Sequence, residues 1–410
     1  MFEFYIWNWL ELSVRWFHVV AGIAWVGSSF YFIALDLGLR KNSSHSKGIQ
    51  GEAWQVHGGG FYHLQKYNVA PTNLPDNLTW FKWESYSTWL SGFALLSIVY
   101  YGGAEMFLID VDVLDIDVFT AVSISIVSLM LGWVIYNTTC KFFLSDSQTG
   151  LMIFLFFILA IVSYGYTEVF SGRAAMLHIG AFTATLMSAN VFFIIIPNQR
   201  IVVADLKAGK VPDSIYGKVA KQRSTHNNYL TLPVLFLMIS IHYPLVYTSE
   251  FNWVIALIIF LTGVSIRHFF NSQHAGKGSP YWTWVVTVML IFIAIFLSTY
   301  RPEHLKPDLD EVKFNDEYGE LINLAGVTEI MSYRCTMCHA KEPLWDNMYV
   351  PPKGVILETS NDVLKYAKQI YIHAAISNSM PPSNLSAMEP EERLISVSYT
   401  HLTLPTIYSV

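Results

Sequence analysis

The sequence predicts a mainly α-helical protein: a polytopic membrane bundle of about eight helices, followed by a small all-α domain in water. Three observations carry that expectation. Of the 410 residues, 53% are hydrophobic and only 14% charged, where a soluble domain carries about 25% charge. The apolar residues gather into runs near the ~20 needed to cross a bilayer. After Arg301 the composition turns polar and stays so. A disordered chain and a wholly soluble enzyme are both excluded.

The runs are Leu10–Leu35, Glu84–Phe107, Asp117–Asn137, Leu151–Glu168, Ala174–Ile196, Tyr229–Tyr247, Phe251–Phe270 and Tyr281–Tyr300. Any one of them could be the core helix of a soluble protein. Eight in succession over 300 residues call for lipid around them. The first run has no Lys or Arg before Arg15, so it lacks the charged start of a cleaved signal peptide and reads as a retained helix.

Charge sets the direction. Loops 36–83, 138–150, 197–228 and 271–280, with Arg267, hold 14 Lys and Arg residues, whereas loops 1–9, 108–116, 169–173 and 248–250 hold only Arg173. By the positive-inside rule the first set is cytoplasmic. Both termini then face outward, which places the C-terminal domain in the periplasm of a bacterial inner membrane. A net charge of -6 without a long basic run argues against nucleic acid as a partner. Three cysteines cannot build a disulfide framework.

The expected organisation is a transmembrane domain over 1–300, a linker over 301–318, a periplasmic domain over 319–394 and an atypical tail over 395–410. In that periplasmic domain, Cys335-Thr-Met-Cys338-His339 matches C-x-x-C-H, the pattern for covalent attachment of haem c. Two thiols one turn apart can add to the two vinyl groups, and the adjacent imidazole becomes an axial iron ligand. A zinc site would want a second Cys or His pair, and a thioredoxin-like pair would want a βαβ setting. A thioether is the usual sixth ligand of such a haem. Met380, in Ser379-Met380-Pro381-Pro382, is the candidate, with Met348, Met388 and His373 as rivals. The domain therefore reads as cytochrome c-like. Asp362–Ile376 has a helical apolar pattern and could pack beside the haem edge. Glu389–Leu394 starts a final helix, but ISVSYTHLTLPTIYSV after it has no helical stripe, so the tail reads as foreign or truncated.

Ionisable groups within a membrane point to function. Arg15, His18, Gly22 and Trp25 fall on one helical face. They could serve a haem b, with His18 on the iron and Arg15 on a propionate. Equally, His18 could be a histidine hydrogen-bonded to a neighbouring helix. His178 and His242 share that status. By depth these three form a periplasmic layer, and His57, His63, His226, His268 and His274 a cytoplasmic one.

Six segments together resemble the membrane-bound, cytochrome c-linked urate oxidase family: Arg15–Asp36, Glu52–Tyr67, Trp80–Gly92, Arg173–Asp205, Lys221–Pro233 and Ile266–Asn271. The resemblance spans about residues 1–394. It implies that urate and water give 5-hydroxyisourate, two protons and two electrons. The electrons would pass through the fused haem c to a periplasmic cytochrome c or a terminal oxidase, without peroxide. For the urate site it directs attention to Arg223, Asn227 and Asn228, with Gln55 and the Trp80/Phe81/Trp83 cluster, and to His57 or His226 as the base; His57-Gly58-Gly59-Gly60 is expected as a flexible backbone close to the ligand. Residues alone leave two alternatives open, another haem-linked dehydrogenase and a pure electron relay.

Overall fold

The computed structural model describes residues 2–41, 48–68, 70–71, 74–142, 148–300, 323–346 and 348–397. The expected linker and residues 398–410 of the tail lie outside the described residues.

The chain is a mainly α-helical membrane bundle. Helix α1 is Phe2–Gly38, and α2 is Trp83–Leu95, extended by a π-helical turn Leu96–Tyr101. Helices α3 and α4 are Val118–Phe142 and Gln148–Thr167. Helix α5, Gly172–Ala189, passes through a second π turn, Asn190–Ile195, into α6, Ile196–Lys207. Helices α7, α8 and α9 are Ser214–Ser240, Asn252–His274 and Trp282–Thr299. Each of the eight predicted runs falls on one of these rods. Among the described residues, six stretches are long and apolar enough to cross a membrane: Tyr5–Gly38, Val118–Phe142, Thr149–Thr167, Gly172–Lys207, Asn252–His274 and Trp282–Thr299. Helices α2 and α7 pack among them, and α7 contacts both α5 and α8.

Apolar side chains face two ways. Leu129, Phe170, Met176, Ile179 and Leu237 are buried at the centre. Trp16, Phe119 and Ile161 keep 72%, 82% and 72% of their surface exposed, which suits lipid and would be costly in water. Small residues set the closest approaches. At Gly132 a Cβ would fall 1.9 Å from the Phe182 ring, so only glycine lets α3 meet α5 there.

Helix α7 begins at Ser214, well before the apolar run at Tyr229. Its polar half, where the sequence predicts part of loop 197–228, is helix, capped by Asp213, whose side chain accepts from the Ile215 amide at 2.9 Å. The stretch before α2 also departs from expectation. Strands β1, Ile49–His57, and β2, Gly60–Tyr67, pair antiparallel, Trp54 opposite His63 and His57 opposite Gly60. Gly58 and Gly59 have φ of 58° and 77°, the two left-handed positions of a type I′ hairpin turn. The expected flexible, ligand-facing HGGG backbone is thus a hairpin turn.

The C-terminal domain starts with α10, Leu324–Arg334, capped by Asn323. A single turn, Thr336–His339, carries the motif. The predicted helix over Asp362–Ile376 is broken at Tyr366, leaving Ser360–Lys365, Ala367–Ile370 and a π turn Tyr371–Ile376. A last helix covers residues 390–397. Val327, Ile330, Met331, Leu357, Val363, Met388 and Ile395 form the core, so the packed helix continues past the expected boundary at Leu394.

Candidate functional site

Two places concentrate buried polar chemistry. The first lies between the domains. A cavity of about 530 Å³ is lined by Cys335, Cys338, His339 and Met380 on one side and by Phe107, Arg173 and Tyr247 on the other. Asn384 Nδ2 donates to Asp112 Oδ2 at 3.1 Å and Ser383 Oγ to the Met106 carbonyl at 3.2 Å, which seats the small domain on the loop after α2.

The donor set here fits a covalently held haem. The turn puts both thiols and the imidazole on one wall. His339 Nδ1 donates to the Val355 carbonyl at 2.9 Å, which leaves the Nε2 lone pair for iron. Burial pushes the Cys335 thiol up to about 12 and raises that of Cys338. Met380 lines the cavity, and so does its rival Met348. Met388 is 2% exposed within the domain core and is not on that wall. His373 Nδ1 stands 3.3 Å from Ser379 Oγ, on the segment leading to Met380. Among the described residues, no three His, Cys, Asp or Glu side chains meet to hold a bare metal ion.

The second place is inside the bundle. Arg223, His226 and Asn227 share one face of α7 and are all buried. The Arg223 guanidinium lies over the Tyr136 ring at 4.8 Å, and its Nη2 donates to Asn137 Oδ1 at 2.9 Å. Its Nε and Nη1 are buried without a hydrogen-bond partner, as is Asn190 Oδ1. Asn190 Nδ2 donates to the Tyr136 hydroxyl at 3.0 Å and to Asn227 Oδ1 at 3.1 Å. The Tyr136 hydroxyl, having accepted that bond, also shares a hydrogen bond with His226 Nδ1 at 2.8 Å. Alongside, Arg267 and Asn271 both donate to Asn228 Oδ1. His226 and Tyr136 also line a smaller cavity of about 100 Å³, otherwise mostly apolar.

Arg223, His226 and Asn227 are therefore brought together, and His57 is not among them. His57 is exposed at the hairpin tip. His63 stacks on Trp54 at 4.2 Å and bonds Glu52 at 2.7 Å. Gln55 accepts from Tyr31, and Phe81 packs edge-on to Phe32. Tyr136, Asn137 and Asn190 were missed, although polar residues inside apolar runs are a signal the sequence displays.

The three histidines expected as haem b candidates stand differently, and only His178 has both ring nitrogens engaged. His178 Nδ1 donates to the Ala174 carbonyl and its Nε2 accepts from Ser125, both at 2.8 Å, so neither nitrogen is left for iron. His18 Nδ1 lies 3.0 Å from the Thr88 carbonyl on α2, and Gly92 supplies the space for its ring. His242 is exposed. None of the three lines either cavity.

Fold and composition together define an α-helical membrane protein. More particularly, the urate oxidase N-terminal family matches residues 4–298, and the chain belongs to that family. No curated protein and no solved structure matches it.

Proposed function

We propose that this chain oxidises urate, with water, to 5-hydroxyisourate and delivers the two electrons to a haem c on its own C-terminal domain. The observation that carries the reading is the shared cavity. Cys335, Cys338, His339 and Met380 face the end of the family domain, with Phe107, Arg173 and Tyr247 across from them. An electron acceptor built onto the enzyme removes the need for oxygen, so no peroxide forms. Haem, when bound, supplies one-electron storage.

The protein's own residues supply recognition and proton handling. Urate is a flat anion with donors and acceptors around its rim. Arg223 offers two unused donors and a charge, and Asn190 an unused acceptor; a fork of this kind suits a planar anion. Asn227, held by Asn190 and by the Met187 carbonyl at 2.9 Å, fixes the amide orientation. A proton taken up by the Tyr136 oxygen lets its own pass to His226 Nδ1 along the existing hydrogen bond. The charge count and the position of the small domain support a bacterial inner-membrane setting with that domain outside. There a periplasmic cytochrome c or a terminal oxidase would take the electrons onward.

The test is anaerobic addition of urate to purified membranes while following the haem c α-band. Reduction with no peroxide in the aerobic reaction is expected. Stoichiometric peroxide would overturn the reading.

A further inference from the structure

We infer that Arg173, which belongs to the membrane domain, binds a propionate carboxylate of the haem attached to the other domain. The inference rests on the reading of Cys335 and Cys338 as the attachment site.

Arg173, in the first turn of α5, is the one basic residue in the segments assigned by sequence to the outer face, against 14 on the other. A cation there runs against the usual bias and calls for a local reason. It lies in the wall of the cavity shared with Cys335, Cys338 and His339. Its guanidinium sits over the Phe107 ring at 5.2 Å, which holds the group at that wall. Asp110 and Glu250 line the same cavity, yet among the described residues no carboxylate pairs with Arg173. Its Nε and the neighbouring Tyr100 hydroxyl are both buried without a well-formed hydrogen bond, so the group that meets the guanidinium is neutral and leaves its charge unmatched.

The other guanidinium in that wall is already committed. Arg334 Nε donates to both carboxylate oxygens of Glu392, at 2.8 and 3.0 Å, and Nη1 to the Ser386 carbonyl at 2.8 Å. A haem brings two carboxylates into a half-enclosed space, where each needs a cation or several donors. Arg173 is the uncommitted cation in that wall. The contact would cross the domain boundary, so the family domain would take part in holding the acceptor and in setting its potential. A positive charge beside the haem favours the reduced form, which carries one more negative charge.

The experiment uses the full chain in membranes and needs no urate. Haem staining on a denaturing gel comes first, then a dye-mediated redox titration of the haem c α-band in wild type, Arg173→Gln and Arg173→Lys. Staining in all three is expected, with a downward shift of midpoint potential in Arg173→Gln and a smaller one in Arg173→Lys. An unstained wild type overturns the attachment reading itself. Stained protein with the wild-type potential in Arg173→Gln overturns the role of Arg173 alone. If Arg173→Gln fails to accumulate, resonance Raman of the propionate bending band decides between wild type and Arg173→Lys. A displaced band supports the contact, and an unchanged one overturns it.

Discussion

Arg393 donates from Nη1 to the Met380 carbonyl at 2.8 Å. The same guanidinium bonds the Ala374 carbonyl and, through Nη2, Asn384 Oδ1 at 3.0 Å. One buried side chain on the last helix thus ties down the segment that presents the thioether. Asn384 in turn reaches Asp112 on the membrane domain. Arg393→Ala removes three charge-assisted hydrogen bonds, each worth about 1.5–3 kcal/mol. Its sulfur-to-iron absorption near the red end should weaken, and Met380→Ala should abolish it. A full-strength band in Met380→Ala would move the ligand to Met348.

For the buried network, Arg223→Gln should lower kcat/KM for urate by on the order of a hundredfold, the loss of about 3 kcal/mol of charge-assisted bonding. Tyr136→Phe keeps the ring under Arg223 and removes the link to His226, so kcat should fall more than KM rises. Steady-state kinetics with urate separates the two. Unchanged kinetics in both variants would take the substrate site out of this network.

His57→Ala should leave urate turnover unchanged, because the side chain is exposed at a hairpin tip. Gly59→Ala should cost about 1 kcal/mol, since φ at that position is +77°. A loss of turnover in His57→Ala would return the hairpin to the active site.

Gly132→Ala should lower the yield of folded protein and its melting temperature. The new methyl group would meet the Phe182 ring at 1.9 Å, and overpacking of a tight contact costs about 1–3 kcal/mol. A compensating Phe182→Leu should restore part of the loss, read by thermal unfolding in detergent.

Asp110 supplies a pH dependence. Burial raises its pKa above the ordinary carboxylate value, with the Asp112 charge adding to this and the Asp112 amide and Arg393 opposing it. The folded state therefore keeps the proton longer than the unfolded chain does. The stabilisation is complete below the unfolded pKa and is lost as pH rises through the higher folded one. Asp110→Asn should melt above wild type at pH 7, with the advantage gone below the carboxylate range. Melting curves at the two pH values check it.

The helices were legible because lipid demands long apolar runs, and each run became a rod. The grouping of Cys335, Cys338 and His339 on one cavity wall was legible because the three residues lie within one short turn. The bundle network was only half visible. Arg223, His226 and Asn227 are neighbours in sequence, but Tyr136 and Asn190 reach them from other helices, and no spacing in the sequence announces a contact between helices. The hairpin was hidden for another reason. Its alternation of Trp54 and Val56 with polar neighbours is short, and the glycine triplet read as mobility when it was a turn.

The π turn Asn190–Ile195 joins α5 to α6 within one rod. Closing a loop of five residues instead of four inserts one extra residue, which advances everything after it by about 100° around the axis. A helical wheel drawn straight through 172–207 therefore mislabels every face beyond Ile195. The two halves of the rod run in different phases, the first matched to α3, α4 and α7, the second to α7. Deleting a single residue within that turn would rotate Arg200 and Lys207 to a new azimuth while leaving His178 and Met187 where they are. The insertion is a phase offset that a lineage could gain or lose in one step, and with it the outward character of the helix's basic end.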